Sequence, residues 1–106
     1  MKLVCLGVIL VAAFGLSAAT CAYAQDDVAA LYKSKCQVCH GTNGKGDTPV
    51  GKKLGIKDFS SPEVAKLSDH ELFDITKKGK DKMPAYDGKL TDDQIKSLVK
   101  YIRQLK

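Results

Sequence analysis

The sequence predicts a small all-α domain, and three observations carry that prediction. Two capping boxes, Ser68-Asp69-His70-Glu71 and Thr91-Asp92-Asp93-Gln94, each open a stretch whose apolar residues recur at helical spacing. No run of alternating apolar and polar residues is long enough to read as a strand. A third apolar stripe at helical spacing runs directly into Cys36-Gln37-Val38-Cys39-His40, a C-x-x-C-H run.

The first element is not part of the fold. Met1-Lys2 is a short positive start, Leu3 to Leu16 is apolar, and Ala22-Tyr23-Ala24 precedes polar Gln25-Asp26-Asp27. This is the pattern of a secretory signal peptide, residues 1–24, cleaved after Ala24. The apolar run is shorter than the roughly 20 residues that span a membrane, so no stable membrane insertion is expected after cleavage. A lipid on Cys21 is the competing reading, although Ala18-Ala19-Thr20 lacks the Leu and the small residue expected before such a cysteine. Residues 25–106 remain as a single domain, in the size range where a staple or cofactor often supplies stability that side chains cannot. The whole chain of 106 residues carries a formal charge of +5. The leader removes one lysine and no acid, so the mature chain stays basic. Its cations are almost all lysine, with Arg103 alone, which argues against bidentate phosphate recognition, and no nucleic-acid motif accompanies them.

Along the mature chain, Asp26 or Asp27 can cap a first helix. Val28, Leu31, Tyr32 and Cys36 lie on one face of it. Gly41, Asn43, Gly44, Gly46 and Asp47 then demand a loop, read here as continuing through Thr48-Pro49-Val50-Gly51. Leu54, Ile56 and Phe59 are isolated apolar groups within reach of the edge of a bound group. Ser61-Pro62 reads as a cap followed by proline at the first helical position. Leu72, Phe73, Ile75 and Thr76 form the inward face of the helix opened by Ser68, and Gly79 is placed to end it. A basic loop leads to Met83-Pro84, and Ile95, Leu98, Val99, Ile102 and Leu105 stripe the last helix.

The C-x-x-C-H run is the chemical centre of the sequence. Two cysteines three apart near a helix end project from one face, where both thiols can reach the two vinyl groups of one porphyrin. His40 is then held beneath the ring, with its imidazole available to the iron. Rival readings of the same residues are a thioredoxin-like dithiol, a structural zinc site and a disulfide. The dithiol wants a βαβ context that is missing here. Zinc wants four ligands, and the mature chain offers only Cys36, Cys39, His40 and His70, at unsuitable spacing. A disulfide three apart on a helix is geometrically poor and leaves His40 unexplained.

A first helix ending in this motif, Pro49 in the following loop, Met83-Pro84-Ala85-Tyr86 and a closing amphipathic helix together resemble a small bacterial class I cytochrome c, over nearly all of 25–106. The resemblance implies roughly three to four short helices wrapped around one covalently bound haem c, with the first and last helices crossing. Tyr32 and Leu98-Val99-Lys100-Tyr101 occupy the family's crossing positions. Val28 stands where many members carry a smaller residue, which predicts a wider crossing.

The resemblance further implies cofactor contacts through Cys36, Cys39, His40, Met83 and Pro49. His40 and Met83 would be the iron ligands, and the Pro49 carbonyl would orient His40 through its other ring nitrogen. Pro84 favours an extended backbone at Met83, which suits a side chain aimed across a gap. His70 competes for the second axial position, but at a helix start beside Asp69 and Glu71 a histidine is usually solvated. Tyr86 lies within reach of a propionate or the ring edge.

With both axial faces filled, the implied function is that of a one-electron carrier in the periplasm rather than an enzyme. The alternative is a haem-bearing subunit of a periplasmic oxidoreductase, or a ligand-binding haem sensor associated with one. Lys77, Lys78, Lys80 and Lys82, with Lys35 and Lys45, predict a positive rim that docks redox proteins with acidic surfaces. A monomer is expected.

Overall fold

Both capping boxes predicted from the sequence form, and they set the two longest helices of the C-terminal half. In the computed structural model, which describes residues 25–105, the described helices are α1 (Gln25–Lys35), α2 (Gln37–His40), α3 (Pro49–Leu54), α4 (Pro62–Ala65), α5 (Asp69–Lys78) and α6 (Asp92–Gln104). The signal peptide, its cleavage point, Cys21 and Lys106 lie outside the described residues. At α5 the Ser68 hydroxyl accepts from the Glu71 amide while the Glu71 carboxylate accepts from the Ser68 amide. Thr91 and Gln94 do the same for α6. Each cap stabilises its helix by about 1 kcal/mol. Gly79 ends α5 as expected, at φ +77° with its amide on the Ile75 carbonyl. No described helix is long and apolar enough to cross a membrane.

Two expectations are corrected. Thr48-Pro49-Val50-Gly51 is not loop: Thr48 caps α3, its hydroxyl accepting from the Gly51 amide, and Pro49 takes the first helical position. The threonine–proline start outweighs the glycines around it. Ser61 takes the cap position of α4 and Pro62 its first helical position, as expected, but the helix has only four residues, the Ser61 side chain makes no cap bond and its hydroxyl is buried without a partner.

The core is built where α1 meets α6. Tyr32, Leu90, Ile95 and Leu98 form one buried cluster, with Val28, Leu31, Phe73, Tyr101, Ile102 and other half-buried apolar groups packed around it. The Tyr32 and Tyr101 rings lie 5.2 Å apart at a tilt of 48°, a favoured arrangement for aromatic pairs. Val28 is thus accommodated at the crossing as part of the packed shell. α5 also packs on α6, and α2 on α3. Lys77 joins α5 to α6 by an ion pair with Asp92 at 3.1 Å, and Arg103 reaches back to Asp69 and the Leu67 carbonyl.

Candidate functional site

Residues 36–51 form a corner made almost entirely of close backbone approaches. The chain breaks between α1 and α2 at Cys36, whose amide still bonds the Tyr32 carbonyl at 2.8 Å. The Cys36 carbonyl then accepts from both the Cys39 and His40 amides, at 3.2 and 3.0 Å. Cys36, Cys39 and His40 are therefore brought onto one tight turn, as their spacing predicts. Gly46 bonds the His40 carbonyl at 2.8 Å, and the buried Tyr32 hydroxyl donates to the Gly41 carbonyl at 2.6 Å.

Thr48 joins this turn to α3. Its hydroxyl donates to the Val38 carbonyl at 2.8 Å and lies 3.3 Å from that of Cys39, while accepting the Gly51 amide. The two helices meet so closely that a Cβ on Gly51 would strike the Cys39 and Gly46 carbonyls. Only glycine lets α3 seat there.

Cys36 and Cys39 are not bonded to each other, so the disulfide alternative is not formed. Burial, reinforced by neighbouring Cys39, pushes the Cys36 thiol up to about 11, and it stays protonated near neutral pH. Among the described residues no group of three or more His, Cys, Asp or Glu side chains is arranged to hold a metal ion. The zinc alternative therefore finds no ligand cluster there.

His40 lies against Phe59, with ring centroids 4.6 Å apart and planes at 23°. Burial holds its pKa below the usual histidine range, which keeps the imidazole neutral and its lone pair available. Its Nδ1 is buried with no hydrogen-bond partner. Pro49 takes the first helical position of α3, and its carbonyl makes no hydrogen bond to the His40 Nδ1. Beside Phe59 opens a cleft of about 280 Å³ lined by Val64, Ala65, Leu72, Ile102 and Leu105. An orphaned neutral imidazole and two unbridged cysteines on the same turn fit a haem held at this corner.

Met83 comes from a different part of the chain, the segment between α5 and α6. It is half-buried, and its backbone pairs reciprocally with Lys80, at 2.9 and 3.1 Å, around a turn in which Asp81 has φ +51°. Gly79 packs so tightly beneath this turn that a Cβ would meet the Met83 carbonyl and the Ala85 amide. His70 is far more exposed, at 82% of its side chain, and pairs with Asp74 at 3.3 Å. Tyr86 donates its hydroxyl to the Lys35 carbonyl at 2.8 Å, a partner the sequence did not suggest. Phe59 as the cover of His40, and Thr48 as the bolt between α2 and α3, were also missed. The Thr48-Pro49 pair was the signal that could have revealed α3.

Comparison with known proteins agrees with this geometry. A family model described as cytochrome c oxidase, cbb3-type, subunit III matches residues 24–102. Cytochrome c-553 of Helicobacter pylori is 37% identical over 100 residues, covering 92% of this chain and 97% of its own length. The solved structure of the KustC0563 c-type cytochrome superposes with a TM-score of 0.67 at 34% identity, over 74% of this chain and 95% of that one. A point mutant of that cytochrome gives the same TM-score at 33% identity, over 76% and 99% of the two chains. The helical architecture and these likenesses together place the chain in the cytochrome c family, matching the family model named for cbb3-type oxidase subunit III, and its cofactor is a covalently bound c-type haem with its iron.

Proposed function

We propose that residues 25–106 form a periplasmic one-electron carrier, exported by the leader and released after Ala24, that acts as a monomer between redox partners. The observation that carries this reading is the corner of Cys36, Cys39 and His40, where two unbridged cysteines share one tight turn with a buried imidazole whose Nδ1 has no partner. Cys36 and Cys39 hold the haem through thioethers. His40 and Met83 would be the side chains that bind its iron. Pro49 supports the histidine side of the site from α3. The haem supplies a reversible one-electron couple, and a soft thioether opposite an imidazole raises its potential. Burial of His40 by Phe59 keeps water from the imidazole and keeps it neutral.

With imidazole and thioether both committed to the iron, no axial position is open to a substrate, which favours a carrier over an enzyme. The exposed Lys78, Lys80 and Lys82 on the approach to Met83, with Lys35 and Lys45 across the site, form the rim that meets acidic surfaces of redox partners. Lys77 is half-buried and committed to Asp92, so it contributes less to that rim than its position in the sequence suggests.

The printed name of the matching family, a subunit of an oxidase, favours a second reading as a haem-bearing subunit of a larger complex. Cytochrome c-553, spanned over 97% of its length, favours the free carrier. Protein exported with haem-attachment machinery tests the proposal. Its intact mass should equal residues 25–106 plus one haem, the pigment should survive acid–acetone extraction, and the native extract should size as a single small species. Pigment that extracts into solvent overturns the thioether assignment, and migration with a large complex turns the reading to the subunit.

A further inference from the structure

The backbone hydrogen bonds of the segment that carries Met83 run within it and to α5. Gly79 bonds Ile75, Lys80 and Met83 bond one another, and the Tyr86 and Asp87 amides donate to the Thr76 and Lys77 carbonyls at 3.1 and 3.0 Å. None of these reaches the corner of Cys36, Cys39 and His40. The Tyr86 hydroxyl does, through its 2.8 Å bond to Lys35, a contact across 51 positions. Lys35 is the last residue of α1, and the break at Cys36 leaves a helix-end carbonyl for which a side-chain donor is the natural partner. Among the described residues this is the one hydrogen bond that joins the 79–90 segment to that corner.

The Tyr86 ring is half-buried against the core cluster. Burial raises the pKa of its phenol, so the hydroxyl keeps its proton and remains a donor.

We infer that Tyr86 is a positioning residue for Met83: by donating to the Lys35 carbonyl it holds the Met83 turn against the helix that leads into Cys36 and His40. This rests on Met83 being the second axial ligand. The tie matters because the two ligands lie on separate elements. The hydrogen bonds around His40 lie within residues 32–59, and those around Met83 within 75–90. Without Tyr86 no polar contact sets the distance between the two groups, and the turn can swing away as a unit with α5 still intact. The iron then gains an open face.

The test is the apparent affinity of the oxidised, haem-loaded protein for imidazole, which can bind only when Met83 has left and so reports the population with the turn released. Tyr86→Phe removes the hydroxyl alone. A hydrogen bond of ordinary net strength predicts that this affinity rises roughly three- to tenfold. A hydroxyl that serves only global stability would lower the unfolding midpoint and leave imidazole affinity unchanged, and that result overturns the inference. Met83→Ala separates this outcome from failure of the underlying reading: if the unaltered protein already binds imidazole as tightly as Met83→Ala, Met83 is not the ligand. Should Tyr86→Phe fail to mature, amide exchange of the unaltered protein under saturating imidazole decides the question. Faster exchange at Met83 and Tyr86 together supports the tie, and acceleration at Met83 alone refutes it.

Discussion

The His40 imidazole and the Phe59 ring are stacked, 4.6 Å between centroids, and Phe59 is held there by its own amide bonding the Gly44 carbonyl at 2.9 Å. Gly44, at φ +74°, passes so close beneath the phenyl ring that any side chain there would strike it. One aromatic thus shields the proposed iron ligand and closes the glycine loop. Phe59→Ala should cost about 2 kcal/mol of stability, since the ring is only half-buried. Urea denaturation of the haem-loaded protein checks this, with a lowered midpoint at unchanged slope as the expected result.

Gly51→Ala should be worse than its small size suggests. The added methyl meets two backbone carbonyls, those of Cys39 and Gly46, and neither can rotate away as a side chain would. A loss of about 3 kcal/mol is expected. Yield of haem-loaded protein should fall with it, because α3 no longer seats on the Cys39 turn. Gly55→Ala is the control, where an added Cβ meets nothing within 4 Å and only the backbone cost of φ +66° applies.

Met83→Ala should abolish the weak red absorption band of thioether-bound oxidised iron, lower the potential and let the reduced protein bind carbon monoxide. His70→Ala should change none of these, since that imidazole is solvent-facing and paired only with Asp74. Visible spectra and a redox titration of the two variants decide between them, and the reverse pattern would assign bis-histidine ligation.

Electron-transfer rates with the physiological partner should fall as ionic strength rises, because exposed charges are screened over about 8–10 Å at physiological salt. Charge reversal at Lys78 or Lys80 should slow the reaction roughly two- to fivefold at low salt. Reversal at Lys100, exposed on α6, should not. Stopped-flow rates across a salt series measure both effects, and equal sensitivity at the two faces would assign these lysines to solubility.

The helices that announce themselves by capping chemistry were legible: α5 and α6 have the predicted boxes, and Tyr32, Leu98 and Tyr101 meet where α1 and α6 pack. The cysteines and His40 were legible because their spacing alone brings them onto one turn. α3 was not, because glycines at 44, 46 and 51 read as loop, and Gly51 serves close packing rather than flexibility. Ser61-Pro62 was legible as the start of α4, but the missing cap bond was not, because the Ser61 hydroxyl lies buried without a partner. Contacts across long separations, Tyr86 with Lys35 and Arg103 with Asp69, leave no local trace in a sequence.

The contacts that shape the Cys36–His40 turn come from strikingly near at hand in the chain. Gly46 reaches His40, Thr48 reaches Val38, Tyr32 reaches Gly41, and Phe59 bonds Gly44. Closing loops of this length takes on the order of 10–100 ns, whereas bringing α6 onto α1 must close most of the domain and is correspondingly slower. The attachment segment is therefore a unit of low contact order near the N-terminal end of the described residues. It can take shape, with both cysteines presented, before the last helix docks on the first.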